Sequence, residues 1–175
     1  LEVTDQDGNV LESSVTRETQ IISNETAFLI SNVLQDVVRR GTGWRARALG
    51  RPSAGKPGTT NDNIAAWDIG FIPQLLTGVY VGFDQPRSMG LHESGSRAAA
   101  PIWVEFMKNA VANLPTEQFP QPPGIVTAKI HESGRSANSC DSPNNIREEH
   151  YKTGTEPPAD TIIAEYCSGD ASEVI

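Results

Sequence analysis

The chain has 175 residues, with 22 acids against 14 bases and a formal net charge of −8. That balance excludes a protein that coats nucleic acid, which needs clustered positive charge. No apolar run approaches the roughly 20 residues that span a bilayer. The length fits one ordinary domain or a piece of a larger one.

The chain starts at Leu1 without a basic, apolar leader, so it reads as a processed chain or an internal fragment. Residues 132–175 hold nine acids and three bases. Arg39, Arg40, Arg45, Arg47, Arg51 and Lys56 fall in a stretch without an acid from Val37 to Asn61. That stretch is either a solvated helix end with its loop or a positive lip for an anionic group. Cys140 and Cys167 both lie in the acidic tail without a Cys-x-x-Cys or His-Cys cluster, so no zinc site is expected. In an oxidising compartment they could close a loop; in a reducing one they are two thiols.

Residues 1–16 read as a hairpin turning at Gln6–Asn9. A helix follows, capped by Ser23 or Asn24, with Glu25 in its first turn and Gly41 as its stop. Phe28, Leu29, Val33 and Val37 recur at helical spacing, with Ile30, Leu34 and Val38 beside them. Residues 41–63 read as loop, short strand, loop. Ala65 to Ile72 and Leu75 to Phe83 read as two strands, with Val79 and Val81 on one face and Tyr80 on the other. Ser96 is expected to cap a helix over about 97–113, with Pro101 near its first turn. The four prolines between Leu114 and Gly124 mark an extended linker. Ile125 to Ile130 is a short strand. From Ala137 onward loop is expected, with a weak strand near 161–164 and the acidic tail solvated. His92, His131 and His150 read as surface residues, Trp67 and Trp103 as packing residues, and Trp44 as packing or cleft edge.

Two motif matches fail on context. Gly50 to Lys56 fits most of a phosphate loop, but Pro57 replaces the metal-ligating hydroxyl, and neither strand nor helix flanks it. Ser53-Ala-Gly-Lys56 matches S-x-x-K, but Gly55, Pro57 and Gly58 oppose the helix that pairing needs. Ser136-Ala-Asn138 matches S-x-N at chance frequency.

Lys56-Pro-Gly-Thr59-Thr60 reads instead as a strand facing a cleft. The run GRPSAGKPGTTNDN (50–63), with AAWDIGFIPQLLTGVYVGFD up to Asp84, resembles the region around the third active-site box of class A penicillin-binding proteins. In that family the box is Lys-Thr-Gly, followed by Thr-Thr-Asn-Asp and two strands. Glu25-Thr-Ala, LQDVV and RGTG precede the box here, RAAAPIWVEFM follows as a C-terminal helix, and PPGIV and Gly154–Pro157 come later. The likeness spans most of residues 1–158.

The resemblance implies an α+β fold, an antiparallel sheet flanked by helices, of the penicillin-binding protein and serine β-lactamase type. Residues 1–113 would be the C-terminal half of a transpeptidase domain, and 114–175 a proline-linked acidic extension. The family's five-stranded sheet would need an upstream segment. Lys56 would be catalytic, adding positive charge beside the nucleophile network. Gly58 would admit the substrate backbone. The Thr59 N–H would help form an oxyanion hole, and the hydroxyls of Thr59 and Thr60 would bind the substrate's terminal carboxylate. No metal or organic cofactor is implied. Partners would be peptidoglycan stem peptides, β-lactam antibiotics and the N-terminal half of the same domain, which carries the serine.

The compartment would be extracytoplasmic, at the periplasmic face of the inner membrane, which also permits a Cys140–Cys167 bridge. Two features depart from the family: Pro57 replaces the box threonine, and no serine or S-x-N box precedes Lys56 in its proper context. This chain alone should then be inactive. A non-catalytic cell-wall or protein binding module with a degenerate site is the alternative; a β-lactam hydrolase suits the long tail poorly.

Overall fold

A computed structural model describes residues 2–13 and 19–159. The opening hairpin pairs β1 (Glu2–Thr4) with β2 (Val10–Ser13). Its turn is fixed by the Asp5 carboxylate, which accepts the N–H groups of Asp7 and Asn9. Helix α1 (Asn24–Arg40) starts at Ser23, whose Oγ accepts the Thr26 N–H at 3.2 Å. It stops at Gly41, where a Cβ would lie 2.9 Å from the Val37 carbonyl oxygen.

Three strands follow: β3 (Ala54–Thr59), β4 (Ala65–Ile72) and β5 (Leu75–Gly82). They form an antiparallel meander in the order β3-β4-β5. Alternation at period two sends Ala66, Asp68, Gly70 and Ile72 of β4 to a covered face and Trp67 and Ile69 to a bare one.

Helix α2 (Ala100–Ala110) lies on the covered face. Its Trp103, Val104 and Met107, with Val111 just beyond, join Val38, Ala46, Leu49 and Ile72 in one core. Trp103 is wholly buried, and its indole N–H donates to the carbonyls of Gly70 (3.3 Å) and Thr77 (3.1 Å).

The start of this helix corrects the expectation for Ser96. Winding begins as a wide turn over Gly95–Ala99, and Ser94 holds the cap position with its backbone carbonyl rather than its side chain. Gly95 presses on the sheet backbone so closely that a Cβ would lie 2.2 Å from the Trp67 oxygen and 2.4 Å from the Gly58 oxygen. The chain can begin coiling only at such a residue.

The linker is anchored by Arg51, which donates to the carbonyls of Val111 (2.8 Å) and Pro115 (3.2 Å). Beyond it, β6 (Ile125–His131) pairs with β7 (Ile146–Lys152) in a second antiparallel sheet. Strand β7 corrects the expectation of loop. Its sequence, IREEHYK, carries charge where a propensity reading looks for apolar residues. Cross-strand partners such as Lys129↔Glu148 and Val126↔Tyr151 support it instead.

Nor is this part of the acidic tail merely solvated, because β7 folds back on α1. Lys152 donates to Thr26 Oγ1 at 2.9 Å, His150 meets the Phe28 ring edge-on at 5.2 Å, and Glu149 pairs with Arg40. Cys140 is disulfide-bonded, while Cys167 and residues 161–164 lie outside the described residues. Among the described residues no helix is long and apolar enough to cross a membrane.

A methyl at Gly70 would lie 2.7 Å from Trp103 Cζ2. Gly70→Ala should therefore cost about 1–3 kcal/mol, the usual range for overpacking, as read from urea unfolding.

Candidate functional site

The bare face of the meander and its edge strand enclose a groove of about 540 Å³. Lys56, Pro57, Gly58, Thr59 and Thr60 line one wall; Trp67, Ile69, Phe71 and Leu76 form the floor; Leu34 of α1 closes one side. The residues expected to act together are thus on one surface. Sequence reasoning missed the floor, although the alternation of AAWDIGFI predicts it. Once Lys56 is registered opposite Ile69 and Gly58 opposite Trp67, both floor residues must share its face. Trp67, read as a packing residue, is 43% exposed and stacks against Tyr80 with centroids 4.9 Å apart.

Strand β3 is an edge strand, and the register shows which of its donors are free. The Thr60 N–H bonds the Ala65 carbonyl at 3.0 Å, so Thr60 is in the ladder. Hydrogen bonding alternates along an antiparallel pair. Gly58 and Lys56 therefore face β4, and positions 57 and 59 face the open edge. Pro57 replaces a residue whose N–H would not have joined the ladder, which is where a strand tolerates proline. The Thr59 N–H points outward beside it.

Side chains along this edge have defined partners. The Lys56 ammonium donates to the Pro57 carbonyl at 2.8 Å. Thr59 Oγ1 accepts the Gly95 N–H at 3.1 Å and keeps its own proton to donate. Thr60 Oγ1 accepts the Ala65 N–H at 2.8 Å, so this hydroxyl shapes the β3–β4 turn. A Cβ at Gly58 would meet only Trp67 Cβ, at 3.4 Å. The sheet itself does not require glycine there, and its absent side chain opens the wall to whatever enters the groove.

The positive lip divides into structural and open parts. Arg40 pairs with Asp36 and Glu149, and Arg51 holds the linker. Trp44 is half exposed, with the Arg45 guanidinium 4.6 Å from its ring centroid.

Behind the edge strand lies a carboxyl that the sequence reading passed over. Asp68 pairs across the sheet with Pro57 and is 5% exposed. Burial pushes its pKa up to about 6, with the charge of Lys56 acting the other way. At low pH the carboxyl is protonated in folded and unfolded chains alike. Between about 4 and 6 the folded chain keeps a proton that the unfolded chain has lost, so stability falls as pH rises. Asp5, Glu25 and Asp141 are held below the usual carboxylate range, so they lose their stabilising effect as pH falls, beneath that window. Asp68→Asn should abolish the fall. Denaturant midpoints measured from pH 4 to 7 should show parent and variant diverging by on the order of 2 kcal/mol.

No family model matches the chain. Curated relatives do. It is 45% identical over 124 residues to penicillin-binding protein 1A of Pseudomonas aeruginosa, covering 70% of this chain and 15% of that protein. It is 40% identical over 129 residues to penicillin-binding protein 1A of Aquifex aeolicus, covering 74% and 18%. The crystal structure of penicillin-binding protein 1A from Haemophilus influenzae superposes with a TM-score of 0.71 at 37% identity, over 81% of this chain and 22% of that one. The chain thus spans less than a fifth of the length of these curated relatives, and at this identity, on this fold, it belongs to the class A penicillin-binding protein family.

Proposed function

We propose that this chain supplies the Lys-x-Gly box strand of a peptidoglycan D,D-transpeptidase, a β-lactam-binding enzyme of the periplasm. Residues 1–113 are then the C-terminal half of the catalytic domain, and 114–175 are its extension. The observation that carries the reading is the open edge of β3: Lys56, Gly58 and Thr59 line one groove, with the Thr59 N–H directed away from the ladder.

Each group has a task in acyl transfer. A serine on the upstream half attacks the carbonyl of a stem peptide or β-lactam; the ester bond forms as the amide C–N bond breaks, and the serine's proton passes to the departing amine, which leaves from a peptide and stays tethered in an opened β-lactam ring. The outward Thr59 N–H stabilises the negative charge that develops on the carbonyl oxygen. The Lys56 ammonium attracts the anionic substrate and joins the proton network around the serine. The Thr59 hydroxyl, with its proton still available, donates to the terminal carboxylate. Thr60 serves by setting the turn. A second stem-peptide amine then takes the acyl group.

Surface chemistry supports an upstream half. On the bare sheet face Leu76 is 65% exposed, and on α1 Val33 is 60% exposed beside Ile30. Those α1 residues form one stripe with Leu34, which lines the groove. Contiguous apolar surface of this kind marks an interaction site.

Intact-mass measurement after incubation with penicillin tests the proposal. The 175-residue chain should gain no mass. A version extended upstream to include the serine should gain one penicillin. Lys56→Ala in that version should slow acylation at least about 100-fold, and Thr59→Val about tenfold. A folded, extended protein that takes up no penicillin would sink the transpeptidase reading in favour of a binding-only module. An unchanged rate for Thr59→Val would remove the carboxylate role.

A further inference from the structure

The arginine-rich stretch is only partly accounted for by the box strand and the linker. Behind the groove, on the side where α1 ends, a separate cavity of about 270 Å³ is lined by Gln35, Arg39, Arg47, Arg51 and Ser53. No acid lines it. Ser53 is 5% exposed, and its Oγ is buried with no hydrogen-bond partner among the described residues. Buried hydroxyls are nearly always paired, so an orphan of this kind calls for an explanation.

The three guanidiniums are not used up by the fold. Arg47 donates through Nε to the Trp44 carbonyl at 3.1 Å, and its two terminal nitrogens bond to nothing among the described residues. Arg39 donates through Nη2 to Gln35 Oε1 at 2.9 Å, which orients it, while its Nη1 stands 3.7 Å from Asp36. Arg51 is fixed by its two carbonyl contacts, so its charge is held in place at the cavity wall.

We propose that this cavity is a binding site for a phosphate group. A carboxylate is satisfied by one guanidinium fork. Three cations from α1, the turn after it and the approach to β3 surround a volume rather than a plane, which suits a tetrahedral dianion. The Ser53 hydroxyl donates to one phosphoryl oxygen, and the terminal nitrogens of Arg47 take others. The site rests on none of the residues assigned to acyl transfer, and it stands whether or not that assignment holds.

The test uses the full 175-residue chain and its melting temperature. Inorganic phosphate should raise Tm along a saturating curve that sodium chloride of equal ionic strength does not reproduce, as expected of a ligand that binds only the folded state. Arg47→Gln and Ser53→Ala should each weaken the apparent affinity about tenfold, the loss of one charge-assisted hydrogen bond. Ser53→Ala should leave the Tm without phosphate equal or higher, because it deletes an unpaired polar group. Glycerol phosphate as a second probe separates two sources. Binding as tight as that of inorganic phosphate assigns the site to the head of a phosphate ester, and binding of inorganic phosphate alone assigns it to the free ion. A shift no larger than that of chloride, an equal shift with acetate, or curves unchanged in both variants would overturn the proposal.

Discussion

The indole of Trp103 ties three elements together with one donor. It is fully buried, and its N–H lies between the carbonyls of Gly70 on β4 and Thr77 on β5. A buried tryptophan contributes a large apolar area but must also satisfy its polar end. Both demands are met at one rotation of α2. That rotation sets Val104, Met107 and Val111 against the same sheet face. It also draws the turn before the helix down until Gly95 touches the backbone of β3 and β4. There the Gly95 N–H reaches Thr59 Oγ1. The end of β3 is thus positioned from the core outward, through one tryptophan and one glycine.

Much of this was legible in the sequence, and the failures share a cause. The first hairpin, α1, β4 and β5 each carry their signal within a single window: turn residues, a cap and a period. Strand β3 carries little, since Ala-Gly-Lys-Pro-Gly-Thr has low strand propensity; a short strand was expected somewhere within 41–63, and the resemblance to a family placed it on Lys56–Thr60. Strand β7 was missed because its support lies on β6 and α1, far away in sequence. The Ser96 cap was misplaced because the approach of Gly95 to β3 and β4 is a long-range contact that no local pattern encodes.

The candidate site follows the same division. Lys56, Gly58 and Thr59 were visible as types and do share a wall. Trp67, Ile69, Phe71 and Leu76 needed the register before alternation could assign them to that wall. A proline in a strand removes one backbone N–H. Its cost depends on which way that N–H would have pointed. At an edge-facing position the ladder loses nothing, so the substitution is a question for the groove and not for the fold. Asp68 shows the reverse: a polar residue in an apolar strand context, easily passed over, whose burial becomes apparent only in the fold.

A sheet that is apolar on both faces is ordinarily covered on both. Here α2 covers one face, and the other meets the exposed stripe of α1 along the Lys56 edge. These two bare surfaces are contiguous, since Leu34 of α1 and Ile69 of β4 line the same groove. Any polypeptide that covers one therefore borders the other, and it brings its own side chains up to the lysine. Completing the hydrophobic packing and completing the polar site are then one geometric requirement. A cover that left the groove open would still expose Trp67 and Leu76. A cover that filled it with apolar side chains would bury the Lys56 ammonium against little more than the Pro57 carbonyl among the described residues, an arrangement that low-dielectric surroundings penalise heavily. The arrangement that avoids both costs leaves a polar gap at the open edge of β3 and seals the remainder.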